Sequence, residues 1–350
     1  MSDAVRVLLA DDSPTARALI TAILHEAGGF DIVGEACDGA EAVALALRTE
    51  PDLIVMDVHM PELDGIEATR EIMMRSPRPI LIVSAVTARD VDLSLTATEA
   101  GALLALPKPA GPGSPRFQEQ SAELVAMARA MAGVKVVRRW RSEYRPSPRT
   151  PIGRSPNGHS AIVALAASTG GPAALRTLLD ELPPDFPVPM LVVQHIARDF
   201  AAGFVDWLGG AGRLRVKLAE HGERLLAGTV YVAPDNRHLG VTAHRCVELS
   251  ATPPIGGFRP SANYLFRSVG RVYGPDGMAV VLTGMGTDGA DGVAAARRSG
   301  TYVVAQDAST SIVFGMASEV IDRGIVDRVL PLHGIAVHII ERVTGQSDAG

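Results

Sequence analysis

Cysteine is scarce in this sequence, and no long apolar segment interrupts it. Its 350 residues include two cysteines, Cys37 and Cys246, which are too few for a disulfide framework and show no metal-ligand spacing around them. No apolar run approaches the roughly 20 residues that span a bilayer, and the N-terminus lacks the apolar core of an export signal. These absences predict a cytoplasmic protein that does not insert into membranes.

An excess of basic charge is also absent. The chain carries 33 Lys and Arg against 39 Asp and Glu, a formal charge of −6, whereas nucleic-acid binding needs a concentrated excess of cations. We therefore predict no nucleic-acid partner. Residues 133–159 hold a local basic excess interrupted by prolines and predict a linker, which is either a solvated tether or a patch that docks on an acidic partner surface or on the other domain. Its basic residues are Lys135, Arg138, Arg139, Arg141, Arg145, Arg149 and Arg154.

Short apolar runs alternate with amphipathic stretches along most of the chain, which is the pattern of an α/β fold. Residues 1–132 contain five such βα units and predict a doubly wound parallel sheet. Residues 160–345 repeat the alternation and predict a second doubly wound, Rossmann-like domain with a mostly parallel sheet. Two β-like runs between His238 and Ser250 predict an antiparallel hairpin, which would make that sheet mixed.

Acidic residues follow two predicted strands of the first domain. Asp11 and Asp12 come after the first strand and Asp57 after the third. The carboxyl ends of parallel strands meet at one edge of a sheet, where ligands bind. Three carboxylates there repel one another unless a cation joins them, and an all-oxygen set suits Mg²⁺. The plainer alternative for residues 11–14 alone is a helix N-cap.

The same edge carries a hydroxyl and an ammonium group. Ser84 ends the fourth predicted strand and Lys108 follows the fifth. With a metal and a lysine to offset developing negative charge, Asp57 can act as a nucleophile towards a phosphoryl group. The first domain therefore predicts phosphoryl chemistry at Asp57.

Three residues with the chemistry of a nucleophilic triad end strands in the second domain. Ser168 precedes a glycine-rich turn and a helix, His195 ends the next strand, and Asp288 follows a later one. Because these strand ends converge, the serine can attack, the histidine can take its proton and the aspartate can orient the imidazole. Taken singly, each has a plainer interpretation: a helix cap, a structural histidine and a turn.

A glycine pattern in the same domain favours a different function. Gly284-x-Gly286-x-x-Gly289 matches the dinucleotide-binding fingerprint, and Asp307 lies near the position of a ribose-binding acid. On this pattern the second domain binds a nucleotide. The motif lies late in its domain, however, and this interpretation leaves Ser168 without a role.

Residues 5–132 resemble a response-regulator receiver domain, on the strand-end residues above together with Met60-Pro61-Glu62-Leu63-Asp64-Gly65 and Lys108-Pro109. The resemblance implies a histidine kinase as phosphodonor, Asp57 as phospho-acceptor and Mg²⁺ as cofactor. It also implies direct metal ligation by Asp12, Asp57 and the His59 backbone carbonyl, with Asp11 acting through water. Ser84 and Lys108 would be switch residues. Ala105 stands where many receivers have an aromatic switch residue.

Residues 160 to about 343 resemble the catalytic domain of chemotaxis-type protein-glutamate methylesterases. The shared motifs are Ala167-Ser168-Thr169-Gly170-Gly171-Pro172, Gln194-His195, Val230-Tyr231-Val232-Ala233-Pro234, Arg237-His238, Arg259-Pro260-Ser261, residues 282–289 and Gln306-Asp307. The resemblance implies Ser168 as nucleophile, His195 as base and Asp288 as orienting acid, with no cofactor in this domain. Thr169 and the Met285 backbone are its oxyanion candidates. Ala166 replaces a glycine that is usual in the family.

Together the two resemblances imply a phosphorylation-activated hydrolase that removes methyl groups from glutamate γ-methyl esters of chemoreceptors and releases methanol. Deamidation of receptor glutamines is a second expected reaction. In such proteins the unphosphorylated receiver covers the active site. The alternative is a response regulator whose second domain is a non-catalytic binding module or a nucleotide-binding output domain.

Overall fold

A computed structural model describes residues 4–85, 87–134, 136, 160–210 and 213–345, without the side chains of residues 88 and 89. The chain divides into two compact units, Met1–Arg145 and Pro146–Gly350. Of the predicted linker, only residues 133, 134 and 136 are described, so its role lies outside the described residues. The domain limits 1–132 and 160–345 stay predictions.

The N-terminal unit contains a five-stranded sheet of order β2-β1-β3-β4-β5, in which each adjacent pair is parallel. Its strands and helices are β1 (Val5–Ala10), α1 (Pro14–Ala27), β2 (Phe30–Ala36), α2 (Gly39–Thr49), β3 (Leu53–Met56), α3 (Gly65–Arg75), β4 (Ile80–Ser84), α4 (Ala88–Ala100), β5 (Leu104–Pro107) and α5 (Phe117–Ala132). Strands β3 and β4 are buried at every position and apolar except at Ser84, the last residue of β4, as a sheet covered by helices on both faces requires. The predicted fold is confirmed.

The C-terminal unit contains a seven-stranded sheet of order β14-β13-β12-β6-β7-β9-β8. Its elements are β6 (Ile162–Ala167), α6 (Gly171–Asp180), β7 (Met190–Gln194), α7 (Ala201–Gly209), β8 (Arg215–Leu218), β9 (Thr229–Val232), β10 (His238–Val241), β11 (Val247–Ser250), α8 (Ala262–Tyr273), the 3₁₀ turn Gly274–Asp276, β12 (Gly277–Val281), α9 (Ala290–Arg298), β13 (Tyr302–Gln306), α10 (Met316–Asp322), β14 (Arg328–Leu330) and α11 (Leu332–Thr344). This doubly wound α/β architecture is also as predicted.

The hairpin of β10 and β11 is antiparallel, as expected, but it forms a two-stranded sheet of its own. The seven-stranded sheet is therefore parallel at every adjacent pair rather than mixed. The hairpin packs against α8 instead of extending the sheet edge: a Cβ on Gly240 would lie 2.8 Å from the Ser268 hydroxyl oxygen of that helix. A sequence pattern fixes the pairing of neighbouring strands but not the surface on which the pair rests.

In each sheet the strand order reverses at the first strand of the unit. In the N-terminal unit β1 lies between β2 and β3, and in the C-terminal unit β6 lies between β7 and β12. A crevice opens beyond the carboxyl ends of the strands at such a reversal, and ligands of doubly wound folds bind there. Asp57 follows a strand beside the first reversal, and Ser168 and His195 follow strands at and beside the second. Ser84 and Lys108 lie farther away, at the ends of β4 and β5. Among the helices that the structure describes, none is both long and apolar enough to cross a bilayer.

Candidate active site

Ser168 lies in the turn between β6 and α6, at the reversal of the C-terminal sheet. Its backbone N–H donates to the Thr283 carbonyl at 3.1 Å, and its own carbonyl accepts from the Gly171 N–H at 2.8 Å. The residue that caps α6 is Gly170, whose φ of +77° favours glycine. Ser168 is therefore not the N-cap of this helix, which removes its plainer interpretation.

His195 lies directly after β7 and is paired with a buried carboxylate. Its Nε2 lies 2.9 Å from Oδ2 of Asp288, and its backbone N–H donates to the Ala167 carbonyl at 2.9 Å. The Phe258 ring stacks on the imidazole with centroids 4.3 Å apart. Nδ1 is buried and has no hydrogen-bond partner among the described residues. With Nε2–H donating to the aspartate, Nδ1 keeps the lone pair that a general base needs.

Asp288 accepts several hydrogen bonds besides the one from His195. The donors belong to the start of α8: Ser261 Oγ at 2.7 Å, the Ala262 N–H at 2.7 Å and Asn263 Nδ2 at 2.9 Å. Burial raises the pKa of this carboxyl, but the bonds from His195, Ser261 and Ala262 outweigh burial and the net pKa is lowered. Asp288 therefore stays ionised and fixed in orientation, as a group that aligns an imidazole must.

Ser168 and His195 lie on adjacent strand ends. Ala167 pairs with Gln194 in the ladder of β6 and β7, and β12, which leads to Asp288, pairs with β6 on the other side. The three predicted residues thus converge at one edge. Among the described residues the Ser168 hydroxyl makes no hydrogen bond, an arrangement common in catalytic sites without substrate. The edge supplies a hydroxyl, a base and an orienting carboxylate for nucleophilic catalysis.

The two oxyanion candidates border the nucleophile in different ways. Thr169 is buried, and its carbonyl accepts from Thr283 Oγ1 at 3.0 Å. Met285 is 41% exposed and follows Gly284, at which a Cβ would lie 2.8 Å from the Cβ of Ser168. The Met285 backbone therefore lies beside the nucleophile. Their roles toward an oxyanion remain predictions.

The acidic edge of the N-terminal unit is assembled as predicted. Lys108 Nζ lies 2.7 Å from Oδ2 of both Asp11 and Asp57. One carboxylate oxygen from each of Asp11, Asp12 and Asp57 falls in a group whose atoms all lie within 4.8 Å of one another. Asp11 and Asp57 are buried and Asp12 is exposed. The helix cap is Ser13, so the two aspartates before it are free for this cluster. A compact set of hard oxygen ligands fits Mg²⁺.

Asp57 is surrounded by groups that oppose one another electrostatically. Burial is the largest influence and raises its pKa, Lys108 lowers it, Asp11 raises it, and the net pKa is raised. Burial alone would lower the pKa of Lys108, but its bonds to Asp11 and Asp57 raise it overall. Ser84 is buried, and its hydroxyl has no partner among the described residues. An unsatisfied buried hydroxyl is available to a new acceptor.

Three further residues of the N-terminal unit, His59, Ala105 and Gly65, lie near these strand ends. The His59 imidazole bonds through Nε2 to Oδ1 of Asp90 at 2.6 Å, at the start of α4. Its backbone carbonyl, the predicted ligand, remains untested. Ala105 lies buried in β5 beside Ile82. Gly65 is required where it stands, because a Cβ there would lie 2.0 Å from the Asp57 carbonyl oxygen.

Comparisons with known proteins agree with this geometry. The CheB methylesterase family model matches residues 163–339, and the response regulator receiver domain model matches residues 7–114. The protein-glutamate methylesterase/protein-glutamine glutaminase 4 of Myxococcus xanthus (strain DK1622) is 49% identical over 98% of both chains. The chain belongs to the CheB methylesterase family. The predicted family is confirmed.

Two other relatives of this CheB-family chain extend the comparison. Protein-glutamate methylesterase/protein-glutamine glutaminase 3 of Anaeromyxobacter dehalogenans (strain 2CP-C) is 47% identical over 95% of this chain and 97% of its own. The crystal structure of the Thermotoga maritima CheB methylesterase catalytic domain is 37% identical and matches with a TM-score of 0.51, covering 52% of this chain and 98% of that one. The C-terminal unit therefore has the fold of that catalytic domain.

In this CheB-family chain, internal contacts account for the glycine pattern that suggested a nucleotide. A Cβ on Gly284 would meet the Met316 sulfur at 2.5 Å, so this glycine permits close packing of two turns. Gly289 has a φ of +100° at the start of α9. Asp307 accepts from the Thr310 N–H at 2.9 Å and from Ser309 Oγ at 2.7 Å within its own loop. The pattern thus arises without a bound nucleotide.

Sequence reasoning gave no role to several residues of the CheB-family site. Phe258, Asn263 and Gln194 contact the triad, although only Gln194 stood in a quoted motif. Ser261 carried a usable signal, because it precedes Ala262 and Asn263 as a typical helix N-cap. The hydrogen bonds between the start of this helix and Asp288 are tertiary contacts, which no local pattern predicts.

Proposed function

We propose that this chain is a protein-glutamate methylesterase of chemoreceptors that also deamidates receptor glutamines, and that phosphorylation of its receiver raises the activity. Sensory adaptation in the cytoplasm is its setting. The names of the relatives support the two reactions. The observation that carries the proposal is the pairing of His195 with the buried Asp288 beside Ser168, with Nε2 and Oδ2 2.9 Å apart.

The reaction consists of two acyl transfers. Ser168 Oγ attacks the γ-carbonyl carbon of the glutamate methyl ester while its proton passes to Nδ1 of His195. The imidazolium, held by Asp288, returns that proton to the departing methoxide, and methanol leaves. Water then attacks the acyl-enzyme with the same proton transfers, which frees the γ-carboxyl and restores Ser168. A glutamine substrate follows the same course with ammonia as the leaving group.

Regulation is proposed to reside at Asp57. A histidine kinase supplies the phosphoryl group, and Asp57 Oδ accepts it as a mixed anhydride. Asp11, Asp12, Asp57 and the His59 carbonyl would hold Mg²⁺, which offsets the phosphoryl charge. Lys108, within 2.7 Å of the acceptor, moves its ion pair to the phosphoryl oxygens, and the unpartnered Ser84 hydroxyl donates to them.

A response regulator that acts by binding alone is the competing function. Binding alone does not require an ionised Asp288 that is held in a fixed orientation and paired with His195. Nor does it require that Nδ1 of His195 have no partner among the described residues. The two functions differ in whether Ser168 forms and breaks bonds. A nucleotide-binding output domain would give heat in a calorimetric titration with NAD or NADP, and we expect none.

Methanol release from methylated receptor membranes tests the proposal directly. Wild type and Ser168→Ala are compared, each with and without a small phosphodonor and Mg²⁺. We expect release by wild type, stimulation by the donor, and a loss of at least about 1,000-fold in the variant because the attacking oxygen is gone. Absence of release from a cognate, methylated receptor under phosphorylating conditions would support the binding function.

A further inference from the structure

Gln194, the last residue of β7, bridges the two segments that carry the nucleophile and the base. It is 3% exposed. Its side-chain Nε2 donates to the backbone carbonyl of Ser168 at 2.8 Å and to that of His195 at 2.8 Å. One amide group therefore uses both of its N–H donors on the two residues whose separation determines proton transfer.

The orientation of this amide follows from its surroundings. The opposite orientation would place Oε1 against two carbonyl oxygens, which repel it, so the carbonyls select the nitrogen. Oε1 is buried without a partner among the described residues, and a Cβ on Gly171 would lie 2.0 Å from it. A buried acceptor without a partner is unfavourable. The side chain keeps this position because the two donated bonds and the close fit to Gly171 define it.

The bridge lies where the strand ladder ends. The last ladder bond between the two strands runs from the His195 N–H to the Ala167 carbonyl. Beyond it, the Ser168 carbonyl accepts from both the Gly171 N–H and Gln194, so its orientation is fully defined. Without the glutamine, the turn of the nucleophile is joined to the segment of the base only through the ladder behind it.

We propose that Gln194 is a positioning residue for the esterase reaction, which holds Ser168 and His195 at the separation that proton transfer requires. The inference rests on the proposed function. Gln194 is buried and acts through the backbone of the two residues, so it affects the chemical step and not substrate binding. A displacement of about 1 Å between reacting groups lowers a rate roughly 100-fold.

Gln194→Met tests this role, because methionine has a similar length and volume but cannot donate. We expect kcat for methanol release to fall between about 10-fold and 100-fold with KM unchanged within about twofold. Thr301→Val is the matched control: Thr301 is 1% exposed and donates one side-chain bond, to the Gly274 carbonyl at 2.9 Å, near the opposite end of the sheet. Thr301→Val should have the kcat of wild type when the rate is divided by the concentration of folded protein.

Gln194→Glu supplies a readout that lost stability alone would not change. A carboxylate offers no donor to the two carbonyls, whereas the carboxylic acid offers one. Burial raises the pKa of such a carboxyl. The rate of Gln194→Glu divided by that of Gln194→Met should therefore rise as the pH is lowered from 8 to 6.

Labelling of Ser168 by a fluorophosphonate probe separates failure of the inference from failure of the proposed function. Labelling needs the same nucleophile and base but no receptor. We expect slower labelling of Gln194→Met than of wild type and Thr301→Val, even if no variant releases methanol. A Gln194→Met kcat and labelling rate equal to those of the Thr301→Val control, or a Glu-to-Met ratio that does not change with pH, would overturn the inference.

Discussion

Asp57 and Asp288 occupy equivalent places in two different sheets, yet their environments act in opposite ways. Each follows a strand that flanks the reversal of its parallel sheet, and each is 5% exposed. Burial is the largest influence on both and raises both pKa values, but the net pKa of Asp57 is raised and that of Asp288 is lowered. Burial alone therefore does not determine the direction in which the pKa of a carboxyl group shifts.

The difference lies in the number of protein donors. Asp288 accepts from His195 and from three residues at the start of α8, through donors that include Ser261 Oγ and Asn263 Nδ2. Asp57 accepts from Lys108 and from the Val58 N–H, and it lies close to the negative Asp11. A carboxylate saturated with donors is suited to orienting a neighbour. A carboxylate with few donors retains lone pairs for a metal and for a phosphoryl group.

The largest expected effect comes from removing the charge of Asp288. Asp288→Asn should lower kcat for methanol release about 10,000-fold, because a neutral amide neither fixes the imidazole tautomer nor stabilises the imidazolium. Asp57→Asn, the same substitution at equal burial, should instead reduce the ratio of phosphodonor-stimulated to unstimulated rate to one. Similar losses of unstimulated rate in both variants would contradict the division of roles.

A smaller effect is expected when one donor of Asp288 is removed. Ser261→Ala deletes the 2.7 Å bond to Oδ1 and the N-cap of α8. A hydrogen bond to a charged group contributes about 1.5–3 kcal/mol, so kcat should fall about 10-fold while the phosphodonor ratio stays that of wild type. Ser261→Thr keeps the hydroxyl and should recover most of the rate. Equal rates for the alanine and threonine variants would count against a role for this bond.

The smallest effect concerns stability against pH. The folded pKa of Asp288 lies below the ordinary value of 3.8, so its ionised form stabilises the fold fully above about pH 4, and this contribution is lost as the pH falls through the folded pKa. Urea midpoints of wild type and Asp288→Asn should therefore differ at pH 5 and converge in more acidic solution. A difference that widens as the pH falls below 5 would show that the pKa is raised instead.

Much of the fold could be predicted because local sequence patterns indicate its strands and helices. The runs at Leu53–Met56 and at residues 190–193 are buried, apolar strand segments, and parallel strands bring their carboxyl ends together. The convergence of Ser168, His195 and Asp288 follows from that rule alone. The acidic cluster with Lys108 follows in the same way.

The remaining features depend on contacts between distant parts of the chain. The separate hairpin sheet, the stacking of Phe258 on His195 and the docking of α8 on Asp288 each depend on which surfaces meet. Similarly, Asp57 and Asp288 each follow a predicted strand, so the sequence pattern does not distinguish their environments. Only its hydrogen-bond partners show that Asp288 is fixed and Asp57 is available.

The packing of Gly284 also determines which substitutions this position tolerates. At this position any side chain would strike the nucleophile's own Cβ, whereas Gly286, with a φ of +85°, has open space around its missing Cβ. Asparagine, which adopts this backbone conformation more readily than other residues, suits position 286 but not 284. Two glycines of one apparent fingerprint are thus required for different reasons, Gly284 by its packing against Ser168 and Gly286 by backbone geometry alone.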